Sequence, residues 1–257
     1  EVDTREPTVS SVAITSAAGI QNNFVNAGDN VSITATFSET VNVNTTNGTP
    51  TLTIVVGSDN RTATYMSGDN STQLVFGYTI QDGETDDDGI SIPANVLALN
   101  SCTIKDAAGN DATITHSSRP NNNQYIVDTT PPTISSVGIT SATGILNNFV
   151  NATDVVTVTV TFSEATPSAV FVDNSSAAEL TIKIGDNNTT AGTNGTSVSV
   201  NNYASLRFTY TIQSGENDDD GISIGANALN SASIAVRDAA GNFADNLTHS
   251  AVPDNSS

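Results

Sequence analysis

Tryptophan is absent from this chain, cysteine occurs once, histidine twice, and cationic residues are scarce. Each shortage excludes something. A lone Cys102 rules out an intrachain disulfide, and as a small residue it reads as buried or half-buried packing. Two histidines, His116 and His249, lie in matching Thr-His-Ser stretches, and one per copy cannot build a zinc site. Seven Lys+Arg stand against 27 Asp+Glu, a formal net charge of -20 at pH 7. A nucleic-acid binder needs the opposite sign, and anionic lipid would repel such a surface. No apolar run approaches bilayer-spanning length, so membrane insertion is not expected. No signal peptide is visible, as expected of a mature chain or one excised from something longer.

What the chain does have, it has twice. Val2-Asp3-Thr4 returns as Val127-Asp128-Thr129, and Asn22-Asn23-Phe24-Val25-Asn26 returns as Asn147-Asn148-Phe149-Val150-Asn151. Phe37-Ser38-Glu39 returns as Phe162-Ser163-Glu164 at the same offset. Further on, Asp86-Asp87-Asp88-Gly89 matches Asp218-Asp219-Asp220-Gly221, and Asp106-Ala107-Ala108-Gly109-Asn110 matches Asp238-Ala239-Ala240-Gly241-Asn242. The later offset is longer, so the second copy carries an insertion between Glu164 and Tyr210. A unit of this length repeated once is a duplicated domain, predicted here as 1–126 and 127–257, and duplication favours arrays over enzymes.

Strand periodicity dominates both copies. Val31, Ile33, Ala35 and Phe37 alternate with Ser and Thr, as do Val156, Val158, Val160 and Phe162. Gly, Asn and Asp clusters punctuate these runs with turn chemistry, and no helical stripe is convincing. The pattern predicts an all-β chain of two tandem Greek-key, immunoglobulin-like β-sandwiches. The Cys…Trp…Cys core of antibody domains is missing. Pro131-Pro132 predicts a short, stiff joint rather than a floppy tether.

Sandwich order also predicts where acids meet. The second strand should end at Glu39 or Glu164, the last hairpin should turn at Asp106 or Asp238, and Asp3 or Asp128 should lead in at the same pole. Hard oxygen ligands converging from distant points suit Ca²⁺, which takes 6–8 oxygens. The competing expectation is an Asx-type turn at Asp106 and Asp238 with Glu39 and Glu164 solvated. A second, local pattern spaces acids two apart: Glu84-x-Asp86-x-Asp88-Gly89 and Glu216-x-Asp218-x-Asp220-Gly221. It follows the first half of an EF-hand loop but has Asn95 or Asn227 where the bidentate Glu belongs, and no flanking helices. A β-loop cation site and a solvated acidic turn both stay open there.

In order, the motifs Asp-Thr-x-Pro-Pro-Thr, Phe-Ser-Glu, Tyr-Thr-Ile, Asp-x-Asp-Gly-Ile and Asp-Ala-Ala-Gly-Asn resemble the bacterial immunoglobulin-like, cadherin-like tandem repeats of large calcium-dependent surface adhesins. The resemblance spans nearly the whole chain. It implies a non-enzymatic, secreted or cell-surface extender, stiffened by Ca²⁺ at domain junctions. Neighbouring repeats or copies would sit head to tail, and a host or surface ligand would be engaged by other domains. Carried over by motif, it implies Glu39, Asp106, Asp128, Glu164 and Asp238 as junction ligands. Copy one departs from the pattern with Arg5-Glu6 in place of Thr130-Pro131.

Asn-x-Ser/Thr sequons occur at Asn30, Asn44, Asn47, Asn60, Asn70, Asn151, Asn174, Asn187, Asn188, Asn194, Asn246 and Asn255, a modest excess over chance. They favour an alternative: a glycosylated subunit of an extracellular filament or surface layer, joined by strand donation to an open sheet edge. A calcium-dependent glycan-binding module is a weaker expectation, because aromatics are 5% and sugar-stacking platforms are hard to find. The same scarcity argues against a glycosidase built on paired carboxylates.

Overall fold

Alternation in the sequence becomes alternation in burial. Val155–Phe162 runs half-buried, buried, half-buried, buried throughout, and Thr51–Val56 does the same. In each, one face of the strand packs inward and the Thr face looks out. Each Val, Leu, Ile or Phe buried this way contributes about 1.5–3 kcal/mol. The computed structural model describes residues 2–163, 171–174, 178–193, 205–230 and 234–255. Every regular element among them is a β-strand. No helix long and apolar enough to cross a membrane is found among these residues.

The chain divides into two units, Glu1–Thr130 and Pro131–Ser257, each with its own apolar core. The predicted boundary followed residue 126. The structural division falls later because Ile126–Asp128 is paired into the first unit.

The first unit contains β1 (Val9–Ala18), β2 (Phe24–Val25), β3 (Asn30–Asn44), β4 (Thr51–Val56), β5 (Asp59–Ser67), β6 (Ser71–Thr79), β7 (Thr85–Asp86), β8 (Leu97–Ala98), β9 (Thr103–Lys105) and β10 (Ile126–Asp128). Its larger sheet has the order β1-β3-β6-β5-β4-β8, with β9 added onto β3. A smaller sheet has the order β2-β10-β7. Strand β3 is long enough to pair with three strands, β1, β6 and β9. It pairs with β6 up to Thr36 and, after a register shift, again at Val41; through Asn42–Asn44 it pairs with β9.

The second unit contains β11 (Ile134–Ala142), β12 (Val155–Phe162), β13 (Phe171–Asn174), β14 (Glu179–Ile184), β15 (Asn187–Gly192), β16 (Ser205–Thr211), β17 (Ile222–Ile224), β18 (Ile234–Arg237) and β19 (Val252–Asn255). Its sheets run β11-β12-β16-β15-β14-β17-β19 and β13-β18. The irregularities repeat with the sequence. The β1–β3 ladder shifts register between Val9 and Ser11 and between Ile14 and Ser16, and β11–β12 shifts at the corresponding Ile134/Ser136 and Ile139/Ser141. The β4–β5 and β14–β15 hairpins both turn on a positive-φ glycine, Gly57 (φ 59) and Gly185 (φ 56). An added Cβ would lie 2.5 Å from the carbonyl oxygen of Thr85 or Asn217, so each position needs glycine for space as well as for dihedral.

Candidate metal centre

Three carboxylates from distant parts of the first unit come together. One ligand oxygen from each of Asp3, Glu39 and Asp106 lies within 4.8 Å of the others, and among the described residues this is the group of acids so arranged. The fold explains each position. Glu39 sits on β3 in the stretch where the strand leaves β6 and crosses to β9. Asp106 directly follows β9. Asp3 is brought in by the leading segment, which is fastened on two sides. Ser38 donates its N–H to the Thr8 carbonyl at 2.8 Å and accepts the Thr8 N–H on Oγ at 3.0 Å. Thr113 donates its N–H to the Pro7 carbonyl at 2.8 Å.

Asp106 is buried and its orientation is fixed. Oδ1 accepts the Asn110 N–H at 2.8 Å, and Oδ2 accepts the Asn110 side-chain amide at 2.7 Å. The same Asn110 amide reaches the carbonyls of Asp3 and Arg5 at 3.3 and 3.2 Å, tying the hairpin to the leading segment. Asp3 Oδ1 accepts the Arg5 N–H at 3.0 Å. Burial alone would push the Asp106 carboxyl up. The hydrogen bonds from Asn110, Gly109 and Ala108 outweigh it and hold the group below its usual range, hence ionised. One Asp106 oxygen also lies within 4.8 Å of an oxygen of Asp3 and one of Glu39. The turn-shaping role and the convergence of acids therefore coexist.

In the second unit the hairpin is the same. Asp238 is fully buried, with Oδ1 accepting the Asn242 N–H at 2.9 Å and Oδ2 its amide at 2.8 Å. Thr133 and Ser163 repeat the Thr8–Ser38 fastening. Glu164 lies outside the described residues, as does Asn194. Asp128 ends β10 in the first unit, opposite Thr85, and its Oδ1 accepts the Thr130 N–H at 3.0 Å, as Asp3 does with Arg5. Burial pushes the Asp128 carboxyl up, and the nearby Asp87 charge adds to this.

The evenly spaced acids do other work. Asp86 Oδ2 accepts the Gly57 N–H and Oδ1 the Gly89 N–H, both at 2.8 Å, so the carboxylate staples the β4–β5 turn to its own loop. Asp218 does the same for Gly185 and Gly221, also at 2.8 Å. Asp88 accepts the Asn121 amide at 2.5 Å. Asp220, hydrogen-bonded to Asp218 and close to Asp254, has its carboxyl pushed up. Neither Glu84-Asp86-Asp88 nor Glu216-Asp218-Asp220 forms a three-oxygen group of the Asp3–Glu39–Asp106 kind.

Two arrangements were not anticipated. Glu84, with a side chain 4% exposed, accepts the Tyr78 hydroxyl at 2.5 Å, the Gln81 N–H at 2.8 Å and the Arg61 Nε–H. Burial, followed by the hydrogen bond to Glu84, pushes the Tyr78 hydroxyl up to about 12. Glu216 repeats the Tyr210 bond at 2.7 Å, but Thr189 stands where Arg61 would. The second arrangement involves the histidines. His116 Nε2 accepts the Val96 N–H at 3.0 Å, Nδ1 faces the Ser117 carbonyl at 3.0 Å, and Asn95 Oδ1 accepts the His116 N–H at 2.9 Å. His249 copies this with Ala228, Ser250 and Asn227. The Asn that departs from the EF-hand pattern is thus the partner of the histidine. Both arrangements left one signal in the sequence: Tyr78, Glu84, Asn95 and His116 all recur in the second copy.

No family model matches the chain, and no curated protein matches it. Among solved structures, a DUF4785 family protein from Legionella pneumophila is similar over 90% of this chain, at 11% identity and a TM-score of 0.24. The chain spans 52% of that structure, and a similarity of that size carries no inference about fold or function.

Proposed function

We propose that the chain is a pair of tandem Greek-key, immunoglobulin-like β-sandwich modules. They serve as a calcium-stiffened, non-enzymatic extender segment of a cell-surface adhesin. The observation that carries this reading is the Asp3–Glu39–Asp106 group, whose oxygens lie within 4.8 Å of one another. Oxygens that share one ion at about 2.4 Å are at most about 4.8 Å apart, so the spacing suits a single cation. The donor set is all carboxylate, with no imidazole or thiolate, which favours a hard ion such as Ca²⁺ over zinc or copper. Peptide carbonyls and water would complete the shell. An ion there ties the leading segment to β3 and to the Asp106 hairpin, and so removes freedom from the segment that joins one module to the next.

Calorimetric titration with Ca²⁺ tests the reading. The unaltered chain should bind and gain thermal stability in proportion to ln[Ca²⁺], and Asp106→Asn or Glu39→Gln should weaken binding about tenfold or more. Equal Ca²⁺ affinity in all three chains would remove the ion from this pole. A glycosylated filament or surface-layer subunit is the second reading. It is favoured by the exposure of Asn30, Asn44, Asn47, Asn60, Asn70, Asn151, Asn187, Asn188 and Asn246.

A further inference from the structure

β1 and β11 each end the larger sheet of their unit, pairing on one side with β3 or β12. Their outer sides differ. In β1 the Val9 N–H donates to the Thr113 carbonyl at 3.3 Å, and the Val12 carbonyl accepts the Arg119 Nε–H at 2.7 Å. Ile134 and Val137 hold the same register in β11. Ile134 pairs with Phe162 as Val9 does with Phe37, and Val137 pairs with Val160 as Val12 does with Ala35. Neither outer bond recurs among the described residues. The sequence gives the reason. Thr113-Ile114 becomes the longer Asp245-Asn246-Leu247, and Val252 stands where Arg119 would. Val12 is 1% exposed, whereas Val137 is only half-buried. The uncovered edge is not the place of β10, which pairs with β2 and β7 and not with β1.

An open edge pairs with another chain unless brevity, proline or charge blunts it. The other ends of the two large sheets are blunted: β8 has two residues, and β19 carries Pro253 and Asp254. β11 has nine residues without a charge or a proline. No charged residue lies between Asp128 and Asp154, in a chain of net charge -20. Gly138 sits mid-strand, and a Cβ added there would meet nothing within 4 Å. A glycine inside a strand suits the close approach of another backbone. We propose that the β11 edge is a self-association surface, and that its occupant is β11 of a second copy of this chain, antiparallel about a two-fold axis at Gly138. Among these sheet ends, β11 is the long one free of charge, proline and cover, so its own copy is the partner that meets it without repulsion. Register shifts at Ile134/Ser136 and Ile139/Ser141 confine the ladder to Ser136–Ile139. There Val137 of one copy faces Ile139 of the other, twice by symmetry, exchanging about four main-chain hydrogen bonds. The two Gly138 residues meet between them as a non-hydrogen-bonded pair, the closer kind, with Cα atoms about 4.5 Å apart. So short a ladder is weak, and salt strengthens it by screening the acidic remainder of the two surfaces. The contact uses no carboxylate, so a chelator leaves it unchanged.

Gly138→Cys in the whole chain, with oxidised glutathione as oxidant, tests it. Cα atoms about 4.5 Å apart are within disulfide reach, and the native Cys102 is buried. The expected result is a disulfide-linked dimer on non-reducing electrophoresis. Ala13→Cys, at the equivalent position of the covered β1, should give about tenfold less. Sedimentation of the unaltered chain at high concentration should show dimers that increase with salt. Gly138→Asp, which sets two carboxylates face to face, should weaken them about tenfold or more. A Gly138→Cys chain that stays monomeric, or that links no faster than Ala13→Cys, would overturn the proposal. Sedimentation identical in the unaltered and Gly138→Asp chains would likewise remove β11 as the contact.

Discussion

Asn22–Asn26 and Asn147–Asn151 are the same pentapeptide folded into the same turn, yet one phenylalanine is core and the other is surface. The difference is not local. It comes from a strand that arrives about a hundred residues later in the first unit and pairs across β2 and β7. Burial, the quantity that stabilises a unit, is thus a property of which strands meet and not of the segment that carries the apolar residue. The contrast extends to electrostatics. Asp86, beneath β10, is pushed up because burial outweighs the Gly57 and Gly89 hydrogen bonds. Asp218, with no strand paired beside it among the described residues, makes the equivalent bonds under less burial and is held down.

The largest effect should come from removing the two phenylalanines. Phe24→Ala should cost about 3 kcal/mol in urea unfolding of the first unit, whereas Phe149→Ala should stay within about 0.5 kcal/mol in monomeric protein. Equal losses would mean that Phe149 is as buried in solution as Phe24. A smaller effect should follow from making the Glu84 network resemble its twin. Arg61 favours ionisation of Tyr78, so Arg61→Thr should move the Tyr78 titration upward in ultraviolet titration. A downward move would place Arg61 outside the network. In the unaltered chain, the stability linked to Tyr78 is complete below the ordinary tyrosine value near 10 and declines as pH rises toward about 12.

The smallest effect is a difference of sign. The raised Asp86 contributes stability that is present in acid and lost as pH climbs through its folded value. The lowered Asp218 contributes stability that is present above the usual carboxylate range and lost as pH falls through its folded value. Relative to the unaltered chain, Asp86→Asn should therefore gain stability as pH rises above the usual carboxylate value, and Asp218→Asn should lose stability as pH rises toward that value from below. Slopes of the same sign would show that the two loops have equal burial in solution.

Much of this was legible in the residues. Alternating Val, Ile and Thr marked the strands because period two has one physical meaning on a half-buried sheet. The duplication was plain in the sequence, and the acids Asp3, Glu39 and Asp106, expected at one pole, do lie together. Spacing could not reveal which oxygens are already engaged. The Asp86 pattern looks like a cation loop in sequence, but its carboxylate faces the N–H of Gly57 from a hairpin far back in the chain. The Arg61–Glu84 pairing was hidden for the same reason, being non-local and made in only one copy. The boundary was misplaced by a few residues because a linker that pairs as a strand looks, in sequence, like the start of whatever follows.

The histidine clasps have a practical consequence for separating the two halves. Each ring accepts a backbone N–H on Nε2, which assigns the proton to Nδ1 and makes the ring sense whether its Asn95 or Asn227 turn is shut. The chain has two histidines, one in each unit. Its imidazole resonances therefore form a pair of native reporters, one for each half, on a single unlabelled polypeptide.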